Sequence, residues 1–252
     1  MDREKLFEEF KSQCVGREQI CGQGNPNADI LIIGKEPHGK ICKNRQEYLD
    51  HLNKNYEHCR VNVFVRMSCK HLDYYKQKYQ DYNVARENFR KLTTWKNYQK
   101  LLFEIKGIKY HENDNNVVDF ERFAYTTELS SMPRPQADYD ASKDMINKRL
   151  LFFKESKFIQ SFPVIILACR EYIHNDEDRQ IDNTFGVTFR TERFITPTTE
   201  RITSPTFRFY THYNEDDSKL VIHTRQLSNF RGNGDQLLKE MATVIRKHLR
   251  IE

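Results

Sequence analysis

Two short aliphatic runs constrain the fold of this chain more than any other feature of its sequence. Residues 28–34 read Ala-Asp-Ile-Leu-Ile-Ile-Gly, and residues 164–168, which follow Pro163, read Val-Ile-Ile-Leu-Ala. Short continuous apolar runs bounded by turn residues are typical of strands that are buried on both faces of a parallel sheet. The longest apolar run, Val164 to Cys169, has six residues. Because a membrane-spanning helix needs about 20 apolar residues, the sequence excludes a transmembrane protein.

Amphipathic helices alternate with these strands along the chain. Apolar residues recur at helical spacing in four segments, with Gly107 as a helix-ending glycine and Asp235 near a helix start. The four segments are residues 3–11, 95–105, 142–158 and 237–249. Further strands are expected over Phe123–Leu129 and Leu220–Ile222, and residues 184–215 are expected to form a hairpin or an extension of the sheet edge.

This alternation predicts the fold class. Buried strands separated by helices indicate an α/β protein, here a three-layer α/β/α fold with a mostly parallel central sheet. A chain of 252 residues that is 38% hydrophobic can bury a substantial core, which argues against a disordered protein. We therefore expect a single domain over residues 1–252.

The compartment is predicted from the N-terminus and the cysteines. The opening residues Met-Asp-Arg-Glu-Lys contain no apolar segment of a secretory signal, so a cytoplasmic protein is expected. None of the six cysteines has CxxC spacing, which argues against a zinc ribbon, and their scattered positions argue against an iron–sulfur cluster. A reducing cytoplasm would keep them as thiols.

Residues 40–109 are strongly basic and rich in aromatic residues. They contain 16 Lys and Arg against 7 Asp and Glu, a net charge of +9 in a chain whose total is +5. One interpretation is a nucleic-acid-binding surface, where cations contact phosphates and rings stack on bases. The other is a solvated helical stretch whose aromatic residues pack inward. The aromatic residues that carry this interpretation are Tyr74, Tyr75, Tyr79, Tyr82, Phe89, Trp95 and Tyr98.

Three polar loops follow predicted strands. They span residues 34–39, 126–130 and 223–232. Ligands of parallel sheets bind at the carboxyl ends of the strands, so we expect the three loops to converge on one crevice. In the first loop, Lys35 and His38 flank Glu36, and these neighbours would tune the carboxyl pKa in opposite directions. The alternative is a Gly-Pro turn that carries surface charges.

The third loop places an imidazole at a strand end. His223 is suited to donate a hydrogen bond to an oxyanion that develops during a reaction. Leu227 lies between Arg225 and Arg231, which is unusual for a solvent-facing turn. It is either a wedge inserted into a base stack or a cap on the hydrophobic core.

The first and third loops resemble the signature motifs of the uracil-DNA glycosylase superfamily. The family motif GQDPYHG corresponds to GKEPHG here, with Glu in place of Asp and one aromatic residue fewer. The family motif HPSPLSVYRG corresponds to HTRQLSNFRG at residues 223–232. Residues 123–130 are similar to the family strand LLLNTVLT, and Val164–Cys169 is similar to its next apolar strand. Residues that match are Gly34, Pro37, His38, Gly39, His223, Leu227, Ser228, Arg231 and Gly232.

The resemblance implies a uracil-DNA glycosylase-like fold and an enzyme of base-excision DNA repair. Such a hydrolase flips a nucleotide out of DNA and hydrolyses its N-glycosidic bond, with no metal or cofactor. Glu36 would activate or orient the water, and His223 would stabilise the charge on the leaving base. Leu227 would fill the gap in the helix. The implied substrate-binding residues are Gly34, Lys35, Pro37, His38 and Thr126, and the implied DNA-binding residues are Arg225, Leu227, Ser228, Arg231 and Gly232.

Four residues depart from the family pattern. Thr126 replaces the Asn that reads the edge of uracil, which weakens discrimination between bases. Thr224 and Arg225 replace Pro and Ser, and Glu36 is one methylene longer than Asp.

Three functions remain open from the sequence. The first is a DNA glycosylase acting on uracil or another damaged base. The second is a non-catalytic module of the same fold that binds modified or single-stranded DNA. The third is an unrelated α/β enzyme, such as a metal-dependent nucleotide hydrolase without affinity for DNA. For the first two we expect DNA as the partner and a monomer that binds no membrane.

Overall fold

A seven-stranded mixed sheet organises the part of the chain that the structure describes. The computed structural model describes residues 2–37, 40–59, 93–109, 120–134, 138–175, 178–195, 207–228 and 234–251. The strand order in the sheet is β1-β3-β2-β4-β7-β6-β5. The strands are β1 (Gln23–Gly24), β2 (Ile30–Gly34), β3 (Ala124–Glu128), β4 (Val164–Ala168), β5 (Thr188–Ile195), β6 (Phe207–Tyr213) and β7 (Leu220–Thr224).

The four central strands are parallel. β3 pairs with β2, β2 with β4, and β4 with β7, all in parallel register. The short strand β1 pairs antiparallel with β3 at one edge, and β6 and β5 continue antiparallel from β7 at the other. The predicted parallel sheet is therefore confirmed for its centre, and the region expected to be a hairpin or an edge extension forms the β5–β6 hairpin at the sheet edge.

Helices cover both faces of this sheet. Two short 3-10 turns lie at Phe120–Arg122 and Arg170–Tyr172. The helices are α1 (Arg3–Gly16), α2 (Arg45–His58), α3 (Thr93–Lys106), α4 (Tyr139–Glu155), α5 (Lys157–Gln160), α6 (Gln180–Phe185) and α7 (Gly234–Leu249). The predicted helices are confirmed, although the segment 142–158 is divided at Ser156, whose side chain accepts a hydrogen bond from the backbone of α5.

The aliphatic character of β2 follows from its burial on both sides. Leu31 and Ile33 belong to a core cluster with residues of α1 and α4. Ile30 and Ile32 belong to a second cluster with residues of α3 and α7. Since side chains alternate between the faces of a strand, a strand between two helical layers needs apolar residues at every position. The fold class predicted from this pattern is confirmed as α/β.

The order of the parallel strands creates a crevice. The chain passes from β2 outward to β3, and then returns across β2 to β4 and β7. Connections from β2 and β4 thus leave in opposite directions, which opens a cleft at their carboxyl ends. The loops after β2, β3, β4 and β7 all lie at the side of the sheet where the parallel strands have their carboxyl ends.

The basic stretch is described only at its two ends. Helix α2 begins at Arg45, capped by Asn44, and α3 begins at Thr93. Trp95 and Tyr98 pack their rings against Phe120, with centroid distances of 6.0 and 5.6 Å. For these two residues the interpretation of inward packing is confirmed. Tyr74, Tyr75, Tyr79, Tyr82 and Phe89 lie outside the described residues.

Two further sequence predictions are tested by the described residues. Within the described ranges, none of the helices combines the length and the apolar character needed to cross a membrane. Each of the five cysteines that the structure describes is a free thiol, and four of them are buried.

A buried arginine ties the end of β3 to its surroundings. Arg149 of α4 is fully buried, and its Nε donates to the backbone oxygen of Glu128 at 3.2 Å. Its Nη2 donates to Thr127 Oγ1 at 2.8 Å and to Ile20 O at 2.6 Å, and its Nη1 donates to Gln19 Oε1 at 3.0 Å. One guanidinium therefore holds together helix α4, the segment before β1 and the carboxyl end of β3.

We expect Arg149→Met to lower the free energy of unfolding by about 3 kcal/mol, because it leaves several buried acceptors without a donor. Denaturation in urea measures the change. Lys148→Met, on the exposed side of the same helix, is the control and is expected to change stability by less than about 0.5 kcal/mol. Equal effects of the two substitutions would contradict the assigned role of Arg149.

Candidate active site at the carboxyl ends of the parallel strands

The loops after β2 and β3 are joined by backbone hydrogen bonds. Leu129 N donates to Gly34 O at 3.0 Å, and Ser130 N donates to Lys35 O at 2.7 Å. The pairing of β2 with β3 thus continues beyond the strand ends. It holds Glu36 in a loop whose backbone is fixed, and keeps this loop beside the end of β3.

Glu36 lies half-buried among polar groups from several elements. Burial raises its pKa above the ordinary value, and the phenol of Tyr172, the cations of Lys35 and Arg134, and the backbone of Asp138 partly offset that rise. Glu36 Oε2 and the Tyr172 hydroxyl are both buried without a hydrogen-bond partner of good geometry among the described residues. A carboxyl group with a raised pKa can exchange a proton closer to neutral pH than an exposed one.

Lys35 connects the loop after β2 to the loops after β4 and β7. Its ammonium lies 2.6 Å from Glu171 Oε2 and 5.2 Å from the centre of the Tyr172 ring. Burial acts to raise the pKa of Glu171, but the hydrogen bond from Lys35 and the charge of Arg225 outweigh it and lower the pKa. The loops after β2, β4 and β7 are thus linked by alternating charges, as expected if they line one crevice.

His223 lies on the other side of the crevice. It is near the end of β7 and only 6% exposed, and its ring stacks on Tyr210 with centroids 5.7 Å apart. His223 is level with Leu167 of β4, which is level with Ile33 of β2. Two strand spacings, about 10 Å, therefore separate its backbone from that of β2. One strand, β4, therefore lies between the two strands that lead into the motif loops.

Leu227 is part of the hydrophobic core. Its side chain is fully buried in the cluster that contains residues of α3 and α7, and Asn97 Nδ2 donates to its backbone oxygen at 3.1 Å. This is the arrangement expected of a core cap. In this conformation Leu227 presents no surface that could enter a base stack.

The remaining predicted DNA-binding residues are described in part. The guanidinium of Arg225 lies 5.2 Å from the ring centre of Phe207. Ser228 is partly exposed, and its backbone N–H donates to Gln226 O at 2.8 Å. Three further predicted residues lie outside the described ranges, namely His38, Arg231 and Gly232.

Thr126 lies inside β3 instead of at its end. Its side chain is nearly buried, and Oγ1 donates to Gln23 O of β1 at 3.1 Å. The single hydroxyl proton is therefore used within the sheet. Thr126 cannot replace an amide that offers a donor and an acceptor to a base.

Glu128 is the residue that the sequence prediction did not single out. It ends β3 directly opposite Gly34. Its Oε2 lies so close to Gly34 that a Cβ built on the glycine would be 2.1 Å away. Burial, and next the charge of Glu36, raise the pKa of Glu128 to about 8, while Arg149 acts in the opposite direction. The signal in the sequence was an acidic residue at the end of an otherwise buried strand.

These groups together suit acid–base chemistry. Two carboxyl groups with raised pKa values stand on one side of the crevice and an imidazole on the other, with Lys35 and Arg225 nearby. Among the residues that the structure describes, no group of three or more His, Cys, Asp and Glu side chains is arranged to hold a metal ion.

No protein-family model matches the chain, and a search of curated proteins gives no match either.

The burial of Leu227 can be tested directly. We expect Leu227→Ala to lower the free energy of unfolding by about 2 to 4 kcal/mol, because it leaves a cavity in the core. A residue that only fills a gap in DNA would lose DNA-dependent function without losing stability. Thermal and urea denaturation distinguish these cases, with the partly exposed neighbour Gln226→Ala as the control.

Proposed function

We propose that this protein is a DNA glycosylase with a uracil-DNA glycosylase-like fold, which hydrolyses the N-glycosidic bond of uracil or another damaged base. The proposal depends on one observation above all. The two motif loops that carry Glu36 and His223 lie at the carboxyl edge of the sheet, on either side of the crevice between β2 and β4. The enzyme would flip the nucleotide into this crevice, because the bond cannot be reached within the base stack.

Glu36 is proposed to act on the water and the sugar. In this reaction the bond between C1′ of deoxyribose and the base breaks, and the sugar acquires oxocarbenium character. An ionised Glu36 would stabilise this cation and accept a proton from the attacking water. Its half-buried position supports the role, because burial raises its carboxyl pKa above the ordinary value and so makes it a better proton acceptor.

His223 is proposed to stabilise the departing base. As the bond breaks, negative charge develops on the base oxygen, and a preorganised N–H donor lowers the energy of that state. Stacking against Tyr210 restricts the orientation of the imidazole, which supports such a role.

The contacts of Thr126 and Leu227 bear on the choice of base and of DNA partner. Since the Thr126 hydroxyl is bonded to Gln23, another group must read the base edge. With Leu227 in the core, the gap left in the helix would be filled by another side chain. The motif resemblance makes uracil the first substrate to assay, and the contact of Thr126 with Gln23 makes other damaged bases the next.

A cleavage assay tests the proposed function. Labelled oligonucleotides with a single uracil, single-stranded and as a U·G duplex, are incubated with the protein and then treated with hot alkali. We expect strand breaks at the uracil, with rates lowered about 100-fold or more by Glu36→Gln and by His223→Ala. Glu155→Gln, an identical chemical change at the exposed end of α4, is the control and is expected to keep the wild-type rate.

The other outcomes separate the remaining functions. If uracil is not cleaved, the same oligonucleotides with other damaged bases are assayed. If the protein cleaves none of them but binds DNA in a salt-sensitive manner, the proposal is replaced by a non-catalytic DNA-binding module. The absence of both cleavage and DNA binding would point to an unrelated α/β enzyme.

A further inference from the structure

We infer that Glu128 is a second acid of the crevice and works with Glu36 as a carboxyl pair. In this pair Glu128 donates a proton to the leaving base while Glu36 accepts a proton from the attacking water. The inference rests on the proposed glycosidic-bond hydrolysis and adds to it a residue outside both motif loops.

The backbone brings the two carboxyl groups to one place. Gly34 and Glu128 are direct partners in the parallel pairing of β2 and β3, and Glu36 is two residues beyond Gly34. The hydrogen bonds from Leu129 to Gly34 and from Ser130 to Lys35 keep the chains paired past the strand ends. The sheet therefore sets the relative position of the two residues along the backbone, and the charge of Glu36 acts on the carboxyl group of Glu128.

Gly34 leaves the space that Glu128 occupies. A Cβ at this position would lie 2.1 Å from Glu128 Oε2 and 2.9 Å from Cδ. Any larger residue would thus push the carboxyl group out of its present position. The glycine of the first motif consequently has a structural role in placing the second acid.

Unpartnered polar atoms converge on this site. Oε2 of Glu128 and Oε2 of Glu36 are both covered from solvent, and neither has a hydrogen-bond partner among the described residues. Part of the Glu128 residue still reaches the surface. Tyr172 is only 2% exposed, and its hydroxyl lies next to Glu36 without a hydrogen bond of good geometry to any described residue. Buried polar atoms without partners are rare, and such a group is a candidate for contact with a ligand.

Burial, and next the charge of Glu36, favour the protonated form of Glu128 at neutral pH. Burial raises its pKa to about 8, helped by the charge of Glu36, and Arg149 in α4 is the cation that opposes this. Cys169 after β4 and Tyr98 in α3 also interact electrostatically with Glu128, and burial raises the pKa of both. Glycoside hydrolases use a similar pair, in which a protonated carboxyl group is the general acid and an ionised carboxylate assists the attack on the sugar.

The proposed step is balanced in atoms and charge. The bond from C1′ to the base nitrogen breaks, and its electron pair leaves with the base, which takes a proton from Glu128. The oxygen of water bonds to C1′, and its released proton goes to Glu36. The products are the free base and a sugar with a hydroxyl at C1′. Transfer of the proton from Glu36 to Glu128 restores the starting state, and no other reactant is required.

The pair also defines a class of base. Negative charge develops on uracil as it departs, and both the hydrogen bond from His223 and the proton from Glu128 would stabilise it. A base that is a poorer leaving group depends more strongly on protonation as it departs. Glu128 would supply that proton, so the site suits bases with a ring nitrogen or carbonyl oxygen that can accept one.

The first experiment measures the proton on Glu128 without any assay of activity. Because the raised pKa lies above that of the unfolded chain, the folded protein holds a proton that the unfolded chain releases. The contribution of Glu128 to the free energy of unfolding is therefore complete below about pH 4.5, and it is lost as the pH rises to about 8. We expect the melting temperature of Glu128→Gln, relative to wild type, to increase over this range. Glu155→Gln should show no such trend, and a flat difference for Glu128→Gln would overturn the inference.

The second experiment measures cleavage rate against pH on the substrate identified above. For wild type we expect the rate to fall above about pH 8, as Glu128 loses its proton. Glu128→Gln should lower the rate at pH 7 by about 100-fold and abolish this alkaline decrease. Gly34→Ala keeps both carboxyl groups but displaces that of Glu128. It should lower the cleavage rate at pH 7 and weaken the decrease in rate above about pH 8.

The outcomes separate the inference from the proposed function. An active wild type with an unchanged pH profile in Glu128→Gln would overturn the role of Glu128 and leave the glycosylase proposal intact. A loss of rate with the alkaline decrease preserved would show a merely structural role. A wild type that cleaves no damaged base would overturn both.

Discussion

The position of the candidate site depends on the buried guanidinium of Arg149. This single side chain binds the backbone of Glu128, the hydroxyl of Thr127 and the segment before β1. A buried cation is costly unless its donors find acceptors, and here the hydrogen bonds of Arg149 fix two separate parts of the chain. These contacts hold the end of β3 in place. The loop after β2 is held as well, because its backbone is hydrogen-bonded to the residues that follow β3. The geometry of the crevice therefore follows from an interaction that lies beneath it and contacts no substrate.

The parallel strand order explains why the chemical groups collect at one edge. Parallel strands place all of their carboxyl ends together. The connections that follow β2 and β4 leave in opposite directions, which leaves an opening between these two strand ends. The loop after β2 contributes Lys35 and Glu36, the turn after β4 contributes Glu171 and Tyr172, and β7 contributes His223. Burial then raises the pKa values of Glu36 and Glu128, while Lys35 and Arg134 limit the rise at Glu36 and the buried Arg149 limits it at Glu128. The same low polarity that stabilises the core thus brings these two pKa values nearer to neutral.

The agreement between sequence and structure is uneven, for physical reasons. The aliphatic strands β2 and β4 were predictable because a strand between two helical layers must be apolar throughout. Helix α7 was predictable because its apolar residues recur with helical spacing. The orientation of Leu227 was left open, since a leucine between arginines in a loop is compatible with both a buried and an exposed position. The Thr126 hydroxyl was considered as a base-reading group, but its contact with Gln23 depends on β1, a two-residue strand with no periodic pattern.

The sequence alone determined the α/β fold class and the position of Glu36 and His223 at the carboxyl ends of parallel strands. These features depend on local pattern, such as apolar runs and the residues that follow them. Only the tertiary structure decided that Glu128 lies against Gly34 and that Leu227 belongs to the core. The pairing of residue 34 with residue 128 joins segments far apart in the chain. Its register is set by packing between sheet and helices, and no local spacing in either segment encodes it.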